Sequence, residues 1–221
     1  MDTIDKVPLA KLFAKGAEAS LFIVKWQGRK AVIKIRIPKR YRPNELDAQI
    51  RNYRTTHEPQ LMNEAKAAGV VTPMIYLVNV PQSAIIMEYV EGKRVKELLN
   101  GEKDSRHGVC FKIGESVASL HFNGLIHGDL TTSNMIWVQC DRICFIDFGL
   151  SERSMEIEAQ GVDLHLLKRA MQSTHFGFWE ECFHAVQAGY TAVLGEENAE
   201  KVYQKIREIE RRGRYVEERK Q

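Results

Sequence analysis

The chain has 221 residues, of which 44% are hydrophobic and 28% charged, and its formal net charge is +3 at pH 7. This balance is typical of a folded globular protein. No apolar run approaches the roughly 20 residues that a membrane-spanning helix needs. The N-terminal segment also lacks the basic and apolar regions of a signal peptide. We therefore expect a cytoplasmic protein without a membrane partner.

Four short β-rich runs predict that the first ninety residues are mostly strands. The runs form two pairs, with Gln27-Gly28 as the turn of the first pair and residues 81–83 as the turn of the second. The four runs are residues 21–24, 31–35, 76–80 and 84–89.

Between the two strand pairs the pattern is helical, from about residue 44 to residue 68. Gly69 is the expected C-terminal stop of this helical block. Pro59 lies inside the block, and because proline cannot donate a helical hydrogen bond we expect two helices or a kink there.

After Glu91-Gly92 the chain is predicted to be mainly helical, interrupted by strand-like runs at 135–138 and 143–146. Together these elements predict an α+β fold with two lobes, a strand-rich N-terminal lobe over residues 1–90 and a helical C-terminal lobe over residues 91–221. A ligand is expected in the cleft between such lobes.

The strongest chemical signal lies in two motifs of the second lobe. Residues 127–134 read His-Gly-Asp-Leu-Thr-Thr-Ser-Asn, and Asp147-Phe148-Gly149 follows. The order and spacing match the catalytic loop and the magnesium loop of a kinase. Asp129 is the predicted catalytic base, and Asp147 and Asn134 are the predicted Mg²⁺ ligands, because Mg²⁺ prefers hard oxygen donors.

The first lobe contains candidates for the remaining kinase parts. Lys34 ends an Ala-Val-Ile-Lys strand and is predicted to bind the α- and β-phosphates of ATP. A helix glutamate should pair with Lys34, and spacing favours Glu58 over Glu64 without deciding between them. The predicted phosphate-covering loop consists of Ala14, Lys15, Gly16, Ala17, Glu18 and Ala19.

Two further assignments depend on the kinase interpretation. The adenine edge is expected to contact Met87, Glu88 and Val90, through the backbone groups of Glu88 and Val90. Asp163 either anchors the backbone of the catalytic loop or is an ordinary aspartate at a helix N-terminus.

The chain resembles the small atypical kinases of the KEOPS complex, which are related to the RIO kinases, over nearly its whole length. The marks of this resemblance are KGAEA at residues 15–19, the series Arg40, Tyr41, Arg42, Leu46, Asp47, Arg54 and Thr55, the 127–134 loop, and Arg212-Gly213-Arg214.

The resemblance implies a reduced two-lobe kinase fold that binds ATP and Mg²⁺. It implies serine/threonine phosphorylation, ATP hydrolysis, or both. It also implies two partners, the ASKHA-fold subunit that makes threonylcarbamoyladenosine on tRNA and a small helical KEOPS subunit. A tRNA contact through the basic C-terminal tail is expected on the same ground.

Two other functions remain open from the sequence. The chain can be a nucleotide-binding regulatory subunit of the tRNA-modifying partner, with little turnover of its own. A small-molecule phosphotransferase also uses a His-Gly-Asp loop, but the small C-terminal lobe leaves little room for a substrate pocket. Gly128 stands where ordinary protein kinases have arginine, so no phosphate-switched activation loop is expected.

Overall fold

The structure, a computed structural model, describes residues 11–16, 18–101 and 103–218. The chain divides into two compact units. The first contains the described residues up to 63 together with Pro73–Glu91, and the second contains Glu64–Thr72 and the chain from Gly92 onward. The sequence instead assigns all of residues 1–90 to one lobe. The difference arises because Val71 pairs with Cys144, and its carbonyl accepts a hydrogen bond from Phe145 N at 2.9 Å.

The first unit is built on an antiparallel five-stranded sheet in the order β1-β2-β3-β5-β4. Its strands are β1 (Lys11–Lys15), β2 (Ala19–Trp26), β3 (Arg29–Arg36), β4 (Ile75–Asn79) and β5 (Ala84–Glu88). One hydrophobic cluster of this unit lies on one face of the sheet and includes Val24, Trp26, Ala31, Ile33 and Ile86.

Both predicted hairpins of this sheet are confirmed. Gln27 and Gly28 join β2 to β3 with φ angles of 46° and 81°. A two-residue turn with two positive φ angles matches the twist of the strands that it connects. The register carries Lys34 opposite Leu21 on β2 and opposite Ile85 on β5, so the lysine lies in the central strand.

A single helix, α1 (Asn44–Ala67), connects the two strand pairs and contains Pro59. The predicted division into two helices therefore does not occur, and the alternative of a kink at Pro59 stays a prediction. An interior proline costs roughly 3 kcal/mol of helix stability. Leu61 and Met62 follow it and are fully buried, and burial of such a face is what stabilises most helices in proteins. Gly69, at φ 85°, ends the block as expected.

The second unit combines helices with two small sheets. Its helices are α2 (Val95–Asn100), α3 (Arg106–Phe122), α4 (Ile157–Thr174), α5 (Trp179–Leu194) and α6 (Glu196–Glu218). One sheet has the order β6-β8-β9, formed by Lys93–Arg94, Met135–Val138 and Arg142–Phe145. The other pairs β7 (Leu125–Ile126) with β10 (Glu152–Arg153).

Helices α3 and α5 pack with almost no space between their backbones. A Cβ atom on Gly114 would lie 2.0 Å from the carbonyl oxygen of Val186, and one on Gly189 would lie 2.0 Å from that of Phe111. Both positions therefore require glycine. This close contact holds α3 and α5 together.

Helix α6 packs within the second unit through an apolar stripe. Ala199, Val202 and Ile206 are buried. Polar pairs add to the contact with α4, including Lys168 Nζ to Glu210 Oε1 at 2.6 Å. Within the described part of the chain, no helix combines the length and the apolar character needed to span a membrane.

Candidate active site

Lys34 and Glu58 form a buried ion pair in the first unit. Lys34 Nζ lies 2.7 Å from Glu58 Oε1, and the two side chains are 7% and 1% exposed. Glu64 belongs to the second unit, where Arg153 Nε donates to its Oε2 at 2.9 Å. Of the two glutamates that the sequence left open, Glu58 is therefore the one that pairs with Lys34.

The predicted phosphate-covering loop is the turn between β1 and β2. Ala14 and Lys15 end β1, Ala19 begins β2, and Gly16 N donates to the carbonyl of Ala19 at 2.9 Å. The carboxylate of Glu18 pairs with Arg54 on α1. Ala17, the remaining predicted loop residue, lies outside the described residues.

The residues predicted to contact adenine lie at the end of β5. Met87 is buried in the sheet, and Glu88 is the last residue of the strand. The backbone N–H of Glu88 donates to the carbonyl of Met74 at 2.8 Å, and Met74 N donates to the Glu88 carboxylate at 3.0 Å. Val90 follows β5 and is half-buried.

In the second unit, Asn134 binds Asp129 directly. Asn134 Nδ2 donates to Asp129 Oδ2 at 2.9 Å and to the Asp129 carbonyl at 3.1 Å. Asn134 ends a short 3₁₀ turn (Thr132–Asn134) that leads into β8. The loop between Asp129 and Asn134, which are five positions apart, thus folds back so that the two side chains meet.

Asp147 lies beside this pair. The carbonyl of Asn134 accepts a hydrogen bond from Ile146 N at 3.0 Å, so the two loops run next to each other. Asp147 is exposed and has φ 66°. A left-handed aspartate costs backbone energy, and such residues concentrate at functional sites.

Phe148 and His127 hold the two loops together from the buried side. Their ring centroids are 4.7 Å apart, and His127 is fully buried. His127 Nδ1 accepts a hydrogen bond from Asp129 N at 3.3 Å, so the ring proton resides on Nε2. Burial lowers the pKa of His127 despite the nearby carboxylates of Asp163, Asp147 and Asp129. His127 is thus a packed, hydrogen-bonded ring in the interior of the second unit.

Asp163 anchors the catalytic loop. It lies within α4, fully buried, and accepts hydrogen bonds from His127 N at 2.8 Å and Gly128 N at 2.9 Å. Asp163 is the seventh residue of its helix, so the alternative of an N-terminal capping aspartate is wrong. Gly128 has φ 79°, and a Cβ there would lie 2.3 Å from the carbonyl oxygen of Leu150. An arginine does not fit at this position.

Comparisons with known proteins identify the family. The protein kinase domain family matches residues 14–169. The KEOPS complex subunit Bud32 of Pyrococcus abyssi is 45% identical over 94% of this chain and 97% of its own length. The chain belongs to the protein kinase family and, within it, to the Bud32 family.

Two other relatives of this Bud32-family chain differ in length. A probable serine/threonine-protein kinase BUD32 homolog of Archaeoglobus fulgidus is 39% identical, covering 91% of this chain and 95% of that one. A probable bifunctional tRNA threonylcarbamoyladenosine biosynthesis protein of Methanothermobacter thermautotrophicus is 42% identical over 93% of this chain. This chain spans 37% of that longer protein.

A solved structure confirms the fold. The crystal structure of the Rio2 kinase–ADP/Mg²⁺–phosphoaspartate complex from Chaetomium thermophilum superposes with a TM-score of 0.64. The superposition covers 91% of this chain and 70% of that one, at 17% sequence identity. The predicted α+β kinase-like fold is therefore correct, and the chain is an atypical kinase or ATPase by family.

Sequence reasoning missed the buried partners of Asp163 in this Bud32-family chain. His121 Nε2 lies 3.2 Å from the Asp163 carboxylate, and His121 Nδ1 lies 2.8 Å from the Tyr190 hydroxyl. Burial alone would raise the pKa of Asp163, but the hydrogen bond from His121 and the backbone hydrogen bond from His127 hold that pKa below its usual range. Asp163 therefore remains a carboxylate, and no local motif marks its partners.

His175 is a second missed residue next to the catalytic loop. Its Nδ1 donates to Asn100 Oδ1 at 2.9 Å, and its Nε2 then accepts from the Thr132 hydroxyl at 2.9 Å. Burial, with the charges of Lys96 and Arg106, lowers the pKa of His175. The neutral ring thus links α2 and the end of α4 to the loop between Asp129 and Asn134.

Proposed function

We propose that this chain binds Mg·ATP and transfers its γ-phosphoryl group to a serine or threonine hydroxyl or to water. The observation that carries the proposal is the direct contact of Asn134 Nδ2 with the carboxylate and carbonyl of Asp129. Asp147 is adjacent through the 3.0 Å Ile146–Asn134 hydrogen bond. A carboxylate base next to two oxygen ligands for a cation is the arrangement that phosphoryl transfer requires.

The donor set beside Asp129 fits Mg²⁺. Asp147 offers carboxylate oxygens, and because the amide nitrogen of Asn134 faces Asp129, its amide oxygen is the atom that can bind a cation. Bound Mg²⁺ neutralises the phosphate charge. The described residues contain no cluster of three or more His, Cys, Asp or Glu side chains suited to a metal.

Asp129 has the surroundings of a general base. It is half-buried, and the hydrogen bond from Asn134 fixes the orientation of its carboxylate. A positioned carboxylate that accepts the proton of an attacking hydroxyl contributes roughly 10²–10⁴ in rate. Lys34, oriented by Glu58, is proposed to bind the α- and β-phosphates, and the β1–β2 loop is proposed to cover them.

We also propose that the chain acts within a KEOPS-type complex that makes threonylcarbamoyladenosine on tRNA. The support is that its relatives are named KEOPS complex subunit Bud32 and tRNA threonylcarbamoyladenosine biosynthesis protein. The proposed partners are the ASKHA-fold synthase subunit and a small helical subunit. The basic end of α6 is proposed to contact tRNA. Within this part of α6, Arg212 Nη1 forms an exposed ion pair with Glu158 Oε1 at 2.9 Å.

The deciding experiment measures ATP turnover by the purified chain, with and without the synthase subunit. Free phosphate and labelled protein are followed together, and Asp129→Asn is compared with wild type. Asp141→Asn is the matched control, because Asp141 is exposed in the turn between β8 and β9. We expect Asp129→Asn to lose at least 100-fold in rate and the control to retain full activity.

The outcomes separate the functions. Label on serine or threonine identifies protein phosphorylation, and free phosphate without label identifies hydrolysis. If Asp129→Asn abolishes turnover while partner-dependent tRNA modification survives, the regulatory binding role is the correct one. Equal turnover by wild type and Asp129→Asn would refute the assignment of the base.

A further inference from the structure

Two of the four cysteines face each other across the contact between α3 and α5. Cys110 on α3 and Cys182 on α5 are both buried, and both are free thiols. Their thiol groups form a hydrogen bond with each other. The pair lies outside the motifs that carry the proposed phosphoryl transfer.

The contacts on either side of this cysteine pair define how the two helices run. One turn before the pair, the guanidinium carbon of Arg106 lies 3.6 Å from the centroid of the Phe178 ring. One turn after it, a Cβ atom on Gly114 would lie 2.0 Å from the carbonyl oxygen of Val186. On both helices these contacts are four residues away from the cysteine, and four residues make about one helical turn. The helices therefore run in parallel, and the two thiols meet at the level between two close contacts.

This placement suits a disulfide bond. A disulfide needs Cα atoms about 4.4–6.8 Å apart and side chains that point toward each other. The approach of the Gly114 Cβ position to the Val186 carbonyl shows that the two backbones come very close one turn away. The hydrogen bond between the thiols shows that the side chains of Cys110 and Cys182 point toward each other. The pair therefore meets both geometric requirements.

Both thiols lie just below the surface, near the N-terminal ends of their helices. Gly108 lies two residues before Cys110, Glu181 directly precedes Cys182, and both neighbours are exposed. Glycine weakens a helix by about 1 kcal/mol relative to alanine, so the first turn of α3 opens more easily than its interior. Opening of these first turns, without global unfolding, gives a small reagent access to the thiols.

The two thiols differ in acidity. The hydrogen bond with Cys110 lowers the pKa of Cys182 against the effect of burial, and the charge of Arg106 acts in the same direction. The same hydrogen bond and burial raise the pKa of Cys110. Because the thiolate is the nucleophile in thiol–disulfide exchange, Cys182 is the thiol that reacts first.

We propose that Cys110 and Cys182 are a redox-reactive dithiol, which low-molecular-weight disulfides convert into a disulfide bond between α3 and α5. The Cys182 thiolate attacks one sulfur of the small disulfide, which releases one small thiolate and leaves a mixed disulfide on Cys182. Cys110 loses its proton to the released thiolate, attacks Cys182 Sγ and displaces the second small thiol. Two protein thiols are thus oxidised by two electrons, and one small disulfide is reduced to two thiols.

The new bond would restrain the start of α5, next to a contact with the catalytic loop. Phe178 N, just before α5, donates to the carbonyl of His175 at 3.0 Å, and His175 Nε2 accepts from the Thr132 hydroxyl at 2.9 Å. A disulfide that closes a long loop also restricts the unfolded chain. Oxidation should therefore stabilise the second unit.

The experiment treats the full chain with oxidised glutathione, alkylates the remaining thiols and maps linked peptides by mass spectrometry. Cys140→Ser serves as the background, because Cys140 is exposed and would react by itself. We expect a peptide pair linked through Cys110 and Cys182, without bound glutathione, that dithiothreitol separates again. The melting temperature should rise by roughly 10 °C on oxidation.

Two matched variants in this background each remove one buried thiol. Cys144→Ala should keep the linked peptides and the rise in melting temperature, and Cys182→Ala should lose both. Glutathione retained on Cys110 or Cys182, no reaction of the folded chain, or a fall in melting temperature on oxidation would each overturn the inference. The peptide map of the background chain decides the question should Cys182→Ala not fold. None of these outcomes depends on ATP turnover, so this inference and the proposed function fail separately.

Discussion

Replacing Asp163 with asparagine tests how the catalytic loop is held. Asp163 accepts three hydrogen bonds, from His127 N, from Gly128 N and from His121 Nε2. All three partners are donors, and the carboxylate is fully buried. Asparagine has almost the same shape but only one accepting oxygen, so its NH₂ group must face one of these donors.

The magnitude follows from the contacts. Hydrogen bonds to a charged group contribute about 1.5–3 kcal/mol, against about 0.5–1.5 for neutral ones, and one buried donor left unsatisfied costs about 1–3 kcal/mol. With the amide oxygen serving His127 and His121, Gly128 N loses its acceptor. We expect Asp163→Asn to lower the free energy of unfolding by about 3–5 kcal/mol, or roughly 10 °C in melting temperature.

The assay is urea unfolding at several pH values. The pKa of Asp163 is lowered from its ordinary value of 3.8, so its stabilisation is fully present above pH 3.8 and is lost as pH falls through the folded-state pKa. The difference from wild type should be constant from neutral pH down to about 4 and shrink below. Asp141→Asn should stay within about 0.5 kcal/mol of wild type. An Asp163→Asn variant as stable as this control would refute the anchoring role.

Three further outcomes are expected. Gly114→Ala should lower the free energy of unfolding in urea by about 1–3 kcal/mol, because its Cβ would lie 2.0 Å from the Val186 carbonyl oxygen. The control Gly108→Ala, whose Cβ would have nothing within 4 Å, should not destabilise the protein. Equal effects of the two substitutions would contradict the close packing of α3 and α5. His175→Gln should reduce the loss of stability as pH falls below about 6.5, because the His175 side chain is protonated in the unfolded state at a higher pH than in the folded state. An unchanged dependence of stability on pH would contradict this role of His175. Asp147→Asn should remove the Mg²⁺ dependence of ATP binding in calorimetry, and retained dependence would exclude Asp147 as the ligand.

Local patterns predicted most of the fold. The strand pair around Gln27-Gly28 and the end of α1 at Gly69 are set by residues whose backbone preferences act within a few positions. At Pro59 the sequence left two helices or a kink open. The helix continues as one element because of buried contacts that the sequence does not display. Val71 pairs with a strand more than seventy residues later, which moves its segment into the second unit.

By itself, the amino-acid sequence predicted the chemistry of the site. Asp129, Asn134 and Asp147 stand close along the chain in a fixed order, so the residue types and their spacing were sufficient to predict a phosphotransferase of the kinase type. Only the tertiary structure decided which buried groups support them. Glu58 pairs with Lys34 and Arg36, and Asp163 with His121, across 22 to 42 residues of chain. Partners at such separations meet only when helices and strands pack, and their identity is set by that packing and by the need to satisfy every buried charge.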